Sequence, residues 1–187
     1  MSKDELREEL LQARRDMRDD VRAEAAEAIA LHLLAAPLIS SAKRVACYVS
    51  MATEPGTGPL IDGLMARGIE VIVPLSLPDG TLDWVAYDPS AQTTVTTLGI
   101  TELEGDALGA AALVECALVI VPALAVDHQG HRLGRGAGYY DRALDGTTRP
   151  LCALVFTHEL LQSVPYEPHD VPVNLAITPD GVFRIQS

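Results

Sequence analysis

The sequence has few basic residues, few aromatic residues and no long apolar run. Lysine and arginine together number 14 against 26 aspartate and glutamate residues, which gives a formal net charge of −12 over 187 residues. This deficit argues against broad binding to nucleic acid or to anionic membranes, because both need an excess of positive charge. No window approaches the ~18 uncharged apolar residues of a membrane span. We therefore expect neither a nucleic-acid-binding protein nor a membrane protein.

Cysteine is also scarce. Cys47, Cys116 and Cys152 are widely spaced, lie in apolar runs and form no C-x-x-C pair. This usage predicts buried free thiols in a reducing compartment rather than a disulfide framework. The first 30 residues are strongly charged and do not have the pattern of a targeting segment, so we expect a cytoplasmic protein.

Several common catalytic fingerprints are missing. The sequence contains no G-x-x-x-x-G-K-[ST] phosphate loop, no dinucleotide-binding G-x-G-x-x-G with its acidic partner, and no G-x-S-x-G nucleophile elbow. P-loop kinases, dinucleotide-dependent enzymes and serine hydrolases of these types are thereby disfavoured. His128 and His131 lie in a polar loop, where we expect structural roles rather than metal ligation.

The composition is that of an ordinary globular protein. Apolar residues make up 48% and charged residues 21% of the chain, and the length suits one domain spanning residues 1–187. No glycine or proline occurs before Pro37, and the segment is rich in alanine, leucine, glutamate and arginine. These features predict one long helix over residues 3–35, on which an apolar stripe borders a basic stripe containing Lys3 and Arg7.

After Pro37 the chain alternates short apolar runs with helical or turn segments. Continuous apolar runs are typical of strands buried on both faces, and alternation with helices is typical of parallel sheets. We therefore predict a three-layer α/β/α sandwich with a mainly parallel sheet, whose ligands bind at the carboxyl ends of the strands. The predicted strands are Arg44–Ser50, Ile69–Pro74, Thr81–Tyr87, Ala117–Pro122 and Leu151–Phe156, with helices over Leu60–Arg67 and Tyr139–Asp145.

A glycine-rich segment from His131 to Arg142 is the most distinctive candidate site. Its three closely spaced glycines precede a predicted helix, where backbone N–H groups and the helix dipole favour an anion. Arg132 and Arg135 add guanidinium groups that match phosphate oxygens. A plain tight turn is the alternative. Asp141 could hold Mg²⁺ or make a local cap or salt bridge.

Two further acidic positions are ambiguous by themselves. Glu54 follows the first predicted strand, where this architecture places groups that contact ligands, although a solvated loop glutamate is the simpler interpretation. Asp170, in the pair His169-Asp170 near the end of the sequence, is equally ambiguous by itself.

Together these segments resemble the 5-formyltetrahydrofolate cyclo-ligase family, also called 5,10-methenyltetrahydrofolate synthetase. The longest match runs from Pro122 to Asp141 and is similar to the family signature P-g-l-a-f-D…G…R-L-G-x-G-x-G-Y-Y-D. Shorter matches are Lys3-x-x-Leu6-Arg7, Glu54-Pro55-Gly56-Thr57, Gly99-Ile100-Thr101-Glu102 and His169-Asp170, in the same order and at similar spacing.

The resemblance implies an ATP- and Mg²⁺-dependent ligase that converts 5-formyltetrahydrofolate to 5,10-methenyltetrahydrofolate, with ADP and phosphate as products. Arg135 and Glu54 are the implied catalytic residues, and Asp141 and Asp170 the implied magnesium ligands. The implied folate site comprises Val49, Glu54, Arg135, Gly136, Ala137, Gly138 and Tyr139. The implied ATP site comprises Lys3, Arg7, Arg132, Gly134, Arg135, Gly136, Ala137, Gly138, Tyr139, Tyr140 and Asp141.

Two alternatives remain open at this point. A noncatalytic folate- or nucleotide-binding paralogue could keep the glycine loop. A sugar-phosphate isomerase or a CoA-transferase-like enzyme on a similar scaffold would also bind anions, without needing ATP. We expect small-molecule partners and a monomer, with a homodimer as the alternative.

Overall fold

The computed structural model describes residues 1–96 and 101–185. Its N-terminal part forms two helices, α1 (Lys3–Asp16) and α2 (Asp19–Leu34), so the prediction of one long helix over residues 3–35 is wrong. The backbone is extended at Met17 and Arg18, with ψ angles of 134° and 150°. Neither residue is glycine or proline, so tertiary contacts rather than local propensity account for the break.

Side chains on both sides stabilise this break. The guanidinium of Arg22 donates to the carbonyl oxygens of Arg14 and Met17 at the end of α1, where the carbonyl oxygens of a helix lack the usual i+4 N–H donors. Asp19 and Asp20 begin α2, where the helix dipole favours negative charge. The change of direction lets α1 and α2 pack against different parts of the molecule.

The other helices are short. They are α3 (Pro37–Ser40), α4 (Gly58–Ala66) and α5 (Tyr139–Leu144), with 3₁₀ turns over Ala110–Glu115 and Thr157–Glu159. No helix of the described ranges is both long and apolar enough to cross a bilayer. The strands are β1 (Arg44–Ala46), β2 (Glu70–Ser76), β3 (Leu82–Ala86), β4 (Thr93–Val95), β5 (Thr101–Leu103), β6 (Leu118–Pro122), β7 (Ala125–Asp127), β8 (Arg132–Leu133), β9 (Leu151–Leu154), β10 (Leu160–Leu161), β11 (Leu175–Thr178) and β12 (Gly181–Arg184).

The main sheet has seven strands in the order β12-β11-β9-β6-β1-β2-β3. The five inner strands are parallel, and the edge strands β12 and β3 run antiparallel to their neighbours. All five predicted strands are present, although β1 ends at Ala46 rather than Ser50. Strands β11 and β12, which complete one side of the sheet, were not predicted from the sequence.

Apolar layers cover both faces of this sheet, which confirms the α/β/α sandwich. On one face Ile29 and Leu33 of α2 and Leu60 of α4 pack against Val45 and Leu118 of the central strands. The core on the opposite face is formed by other side chains of the same strands, the 3₁₀ turn Ala110–Glu115 and Leu144 of α5, with Trp84 of β3. The continuous apolar runs of the sequence therefore correspond to strands buried on both faces.

The strand order creates a crevice between β1 and β6. From β1 the chain passes through α4 to β2 on one side, whereas from β6 it leads to β9 on the other side. Connections that diverge in this way leave the carboxyl ends of the two strands uncovered, and ligands of open α/β sheets bind at such a point. The loops after Ala46 and Pro122 therefore border the expected site.

Helix α1 covers one side of this crevice without joining the main core. Leu6 and Leu10 pack in a separate cluster with Leu124, Leu133 and Val164. This small cluster fixes the helix face that carries Lys3 and Arg7.

A buried ion pair also anchors α1. Arg14 and Glu159 are both fully buried; Arg14 Nε donates to Glu159 Oε1 at 2.6 Å and Nη2 donates to Oε2 at 2.8 Å. The same Nη2 donates to the carbonyl oxygen of Ala123 at 2.6 Å, just beyond β6. Glu159 also accepts the N–H of Phe156. Nearly every polar atom of the pair is satisfied, as burial of two charges requires.

The three cysteines are free and buried, as predicted. Burial raises the pKa of the Cys116 thiol to about 11 and raises those of Cys47 and Cys152 further. All three are therefore protonated near neutral pH and are poor nucleophiles.

Arg14→Ala tests the anchoring of α1. Removing one member of a buried pair leaves the other charge without a partner, so we expect the free energy of unfolding to fall by about 3–5 kcal/mol in urea denaturation. Arg18→Ala is the matched control, because Arg18 is exposed next to the end of the same helix; its effect should stay below about 0.5 kcal/mol. Equal effects of the two variants would contradict the anchoring role.

Candidate active site

The glycine-rich loop lies between β8 and α5. Gly136 and Gly138 adopt positive φ angles of 101° and 69°, a backbone conformation that residues other than glycine rarely adopt. Arg142 braces this loop: its guanidinium donates to the carbonyl oxygen of Gly80 in the β2–β3 turn and to that of Ala137. A Cβ on Gly138 would lie 2.8 Å from Arg142 Nη1, so a side chain there would require the guanidinium to shift in addition to straining the backbone.

The N–H groups of Arg135, Gly136 and Ala137 have no hydrogen-bond acceptor within the described part of the chain. All three residues are exposed in this loop, so these donors are available to an anion. Helix α5 has six residues, so its dipole contributes less to anion binding at the loop than the sequence suggested.

Cations from α1 reach this loop. Arg7 Nε donates to the carbonyl oxygen of Gly134 at 3.0 Å, and Lys3 Nζ contacts Asp170 Oδ2 at 2.6 Å. The pKa of Asp170 is lowered: partial burial is the largest single influence and opposes ionisation, but the hydrogen bonds from Lys3 and the N–H of Glu167, with the nearby positive charge of Lys3, together outweigh it. Lys3 and Arg7 of the predicted basic stripe therefore both reach the site, whereas Arg14, farther along the same helix, forms the buried pair with Glu159.

Arg132 is buried beneath the loop. Its Nη1 donates to the carbonyl oxygen of Pro122 at 3.2 Å and its Nη2 donates to Asp141 Oδ1 at 2.6 Å. Its Nε and the hydroxyl of Tyr140 are buried atoms without a partner among the described residues. Burial raises the pKa of Tyr140 well above its ordinary value, with further increases from nearby Cys47 and Glu54, so this hydroxyl remains a neutral donor.

Glu54 and Arg135 form an ion pair between the loop after β1 and the glycine loop. Arg135 Nε donates to Glu54 Oε1 at 3.1 Å, and the N–H of Met51 donates to Glu54 Oε2 at 2.8 Å. The Glu54 side chain is 7% exposed, whereas that of Arg135 is 40% exposed. Glu54 is thus held rigidly, and Arg135 has the freedom to contact a ligand.

These groups border one cleft of about 430 Å³, a volume typical of small-molecule sites. Every site residue predicted from the sequence lines it, although the cleft by itself does not assign their roles. They are Lys3, Arg7, Val49, Glu54, Arg132, Gly134, Arg135, Gly136, Ala137, Gly138, Tyr139, Tyr140, Asp141 and Asp170.

Part of the cleft was not predicted from the sequence. Strands β2 and β3 contribute an apolar wall that includes Val73, Pro74 and Leu82, and β5 contributes Glu102. Nothing in the sequence marked these apolar residues as part of a site, because they also belong to the apolar patterns that predict strands. Glu102 belongs to the short Gly99–Glu102 match, of which residues 99 and 100 lie outside the described ranges.

Asp141 and Asp170 were the predicted magnesium ligands. Asp141 Oδ1 accepts from Arg132 and from the N–H of Val171, so the two acidic residues lie in adjoining segments. The described ranges contain no group of three or more His, Cys, Asp or Glu side chains that could hold a metal alone. Mg²⁺ usually takes one or two carboxylates and completes its ligands with water and phosphate oxygens. The donor set therefore fits a metal that binds together with a phosphate ligand.

Comparison with known proteins identifies the family. Residues 1–179 match the model of the 5-formyltetrahydrofolate cyclo-ligase family. The chain is a member of that family. It is 39% identical over 185 residues to the 5-formyltetrahydrofolate cyclo-ligase of Mycolicibacterium smegmatis. The matched region covers 95% of this chain and 94% of the relative.

A second relative and a solved structure agree with this assignment. The 5-formyltetrahydrofolate cyclo-ligase of Escherichia coli is 30% identical over 179 residues, with 92% of this chain and 98% of the relative covered. The NMR structure of Aquifex aeolicus 5,10-methenyltetrahydrofolate synthetase superposes with a TM-score of 0.85 and 26% identity, over 100% of this chain and 94% of that one. The cyclo-ligase fold is therefore shared along the described chain.

Gly138→Ala tests the conformation of the glycine loop. A side chain at φ +69° strains the backbone and moves the Arg142 guanidinium, which contacts the loop, so we expect the free energy of unfolding to fall by about 1–2 kcal/mol. Gly58→Ala is the control, since Gly58 begins α4 and a Cβ there meets open space. Chemical denaturation of the two variants measures the difference, and a Gly138→Ala protein as stable as the control would refute the assigned geometry.

Proposed function

We propose that the protein is an ATP- and Mg²⁺-dependent ligase that closes 5-formyltetrahydrofolate to 5,10-methenyltetrahydrofolate and releases ADP and phosphate. The observation that carries the proposal is the 3.1 Å contact between Arg135 and Glu54. It joins the cationic end of the cleft, suited to phosphates, to a buried carboxylate beside an apolar wall, suited to a folate. We assign the activity to a single domain over residues 1–187 and propose that it acts as a monomer.

The chemistry of the substrate explains the need for ATP. A formyl amide carbon is a poor electrophile, and its oxygen would have to leave as hydroxide. In the proposed reaction the formyl oxygen attacks the γ-phosphorus, the bond from that phosphorus to ADP breaks, and ADP leaves. The neighbouring anilino nitrogen then attacks the activated carbon, loses its proton and closes the five-membered ring as the C–O bond breaks and phosphate departs.

The cationic end would hold the phosphates. Phosphoryl transfer is catalysed mainly by positioning and by stabilising charge on the moving group. Arg7 and Arg135, the loop N–H groups and the unpartnered Nε of Arg132 supply donors for this purpose. Asp141 and Asp170 would hold Mg²⁺, which when bound neutralises phosphate charge.

The opposite end would hold the folate. Val49, Val73 and Leu82 offer apolar surface to a flat ring system, and the ring of Tyr139 lies at the edge of the glycine loop. Glu54 can accept a hydrogen bond from a ring N–H while Met51 keeps its other oxygen in place. Holding both substrates in one cleft removes several kcal/mol of entropic cost from the reaction.

Incubation with 5-formyltetrahydrofolate and Mg-ATP, followed by absorbance of the methenyl product, tests the proposal. We expect product only when ATP is present. Binding of either substrate without product would indicate a noncatalytic paralogue and overturn the proposal. Turnover of a sugar phosphate or a CoA thioester without ATP would favour the isomerase or transferase alternative.

Arg135→Ala should lower turnover by roughly 10²-fold, the scale of losing one preorganised donor to developing charge. The loss of stability should be smaller than for Arg14→Ala, because the Arg135 side chain is 40% exposed and Glu54 keeps the hydrogen bond from the N–H of Met51. Steady-state kinetics measures the effect. Arg18→Ala is the control for the loss of a surface arginine. Near-normal turnover in a folded Arg135→Ala protein would remove Arg135 from the reaction.

Glu54→Gln should raise the KM for 5-formyltetrahydrofolate by about tenfold or more, because a charged hydrogen bond to the substrate is lost. The KM for ATP should change less. Glu8→Gln on the exposed side of α1 is the control. Unchanged folate kinetics in Glu54→Gln would show that Glu54 does not contact the folate.

A further inference from the structure

Glu102 is a buried carboxylate at the apolar end of the cleft. It lies on β5, is 7% exposed and lines the cleft. Its Oε1 accepts the N–H of Ser76 at 3.0 Å, which ties it to the end of β2. Leu82, paired with Ser76 in the sheet, and Leu103 line the same part of the cleft.

Glu102 differs from the other acidic side chains of the cleft because no lysine or arginine of the described residues forms an ion pair with it. The other five each lie within 3.4 Å of a lysine or arginine nitrogen: Asp4, Glu54, Asp141, Glu167 and Asp170. Glu102 has no such partner among residues 1–96 and 101–185, and residues 97–100, 186 and 187 carry no basic side chain.

A carboxylate in this position is costly for the protein alone. Burial removes water from the charge, and among residues 1–96 and 101–185 the N–H of Ser76 is the one recorded donor to it, which satisfies a small part of its capacity for hydrogen bonds. A ligand that brings N–H donors would supply the missing partners. Ligand phosphates are excluded here by their like charge, so the ligand group that meets Glu102 must donate hydrogen bonds.

We propose that Glu102 binds the 2-amino-4-oxopyrimidine edge of the folate pterin ring and thereby selects the pterin. This inference rests on the proposed function, which supplies the substrate. The pterin edge presents its ring N3–H and its 2-amino group side by side, two parallel donors that match the two oxygens of a carboxylate. Adenine instead presents an amino donor beside the N1 acceptor, whose lone pair the carboxylate repels. Glu102 therefore directs the pterin, and not the adenine of ATP, to this end of the cleft.

Glu102→Gln tests the proposal, with Glu104→Gln as the matched control from the exposed position just beyond β5. Calorimetric titration with 5-formyltetrahydrofolate and steady-state kinetics are both measured. We expect the Kd and the KM for the folate to rise about tenfold to a hundredfold and the KM for ATP to change less than twofold. Wild-type folate affinity in a folded Glu102→Gln protein would overturn the proposal.

An altered substrate provides a second test that needs no variant. The 2-desamino-2-methyl analogue of 5-formyltetrahydrofolate lacks one of the two donors, so the wild type should bind it at least about tenfold more weakly. Glu102→Gln should discriminate much less between analogue and substrate. Equal binding of the two compounds by the wild type, or undiminished discrimination by Glu102→Gln, would overturn the assignment.

These results separate the two proposals. A wild type that forms no methenyl product contradicts the proposed function itself. An active wild type whose Glu102→Gln variant keeps normal folate affinity contradicts only the role of Glu102.

Discussion

The buried pair of Arg14 and Glu159 is the interaction on which the charged end of the cleft depends. Helix α1 shares no core with the main sheet and packs through a small separate cluster. Arg14 links it to the segment after β9 through Glu159 and to the segment after β6 through the carbonyl oxygen of Ala123. At 1.5 Å per residue, Lys3 lies about 16 Å along the helix from this anchor. One fixed point thus sets where Lys3 and Arg7 meet the glycine loop.

The cleft reconciles a net charge of −12 with ligands that are themselves anionic. Arg7, Arg132 and Arg135 converge near the loop, and each has a carboxylate partner inside or beside the cleft. Charges this close act at short range, whereas the overall field is screened beyond about 8 Å at physiological salt. In the proposed function an entering phosphate takes the place of a carboxylate as the partner of these arginines, so it does not have to overcome the whole acidic surface.

Much of the fold could be predicted because local pattern and final environment agree. Strands buried on both faces need continuous apolar runs, and Leu118–Pro122 and Leu151–Leu154 have them. The glycine loop was recognisable since its conformation demands glycine at 136 and 138. Strand β12 was missed because its residues alternate between half-buried and exposed positions at a sheet edge.

Other features depend on contacts between distant parts of the chain. Nothing in the local sequence interrupts the helix at Met17, and the break follows from the contacts of Arg14 and Arg22. The placement of Glu102 depends on Ser76, 26 residues earlier. Sequence patterns identified the polar residues of the site, but the pairing of Arg135 with Glu54 across 81 residues required the folded structure.

The central claim is that one cleft couples phosphoryl transfer from ATP to ring closure of the folate. The most direct measurement follows oxygen-18 placed in the formyl group of 5-formyltetrahydrofolate, with unlabelled ATP and water. Attack of the formyl oxygen on the γ-phosphorus predicts that the label appears in the released phosphate, one atom for each methenyl product formed. Unlabelled phosphate, with oxygen-18 recovered in water, would contradict the account.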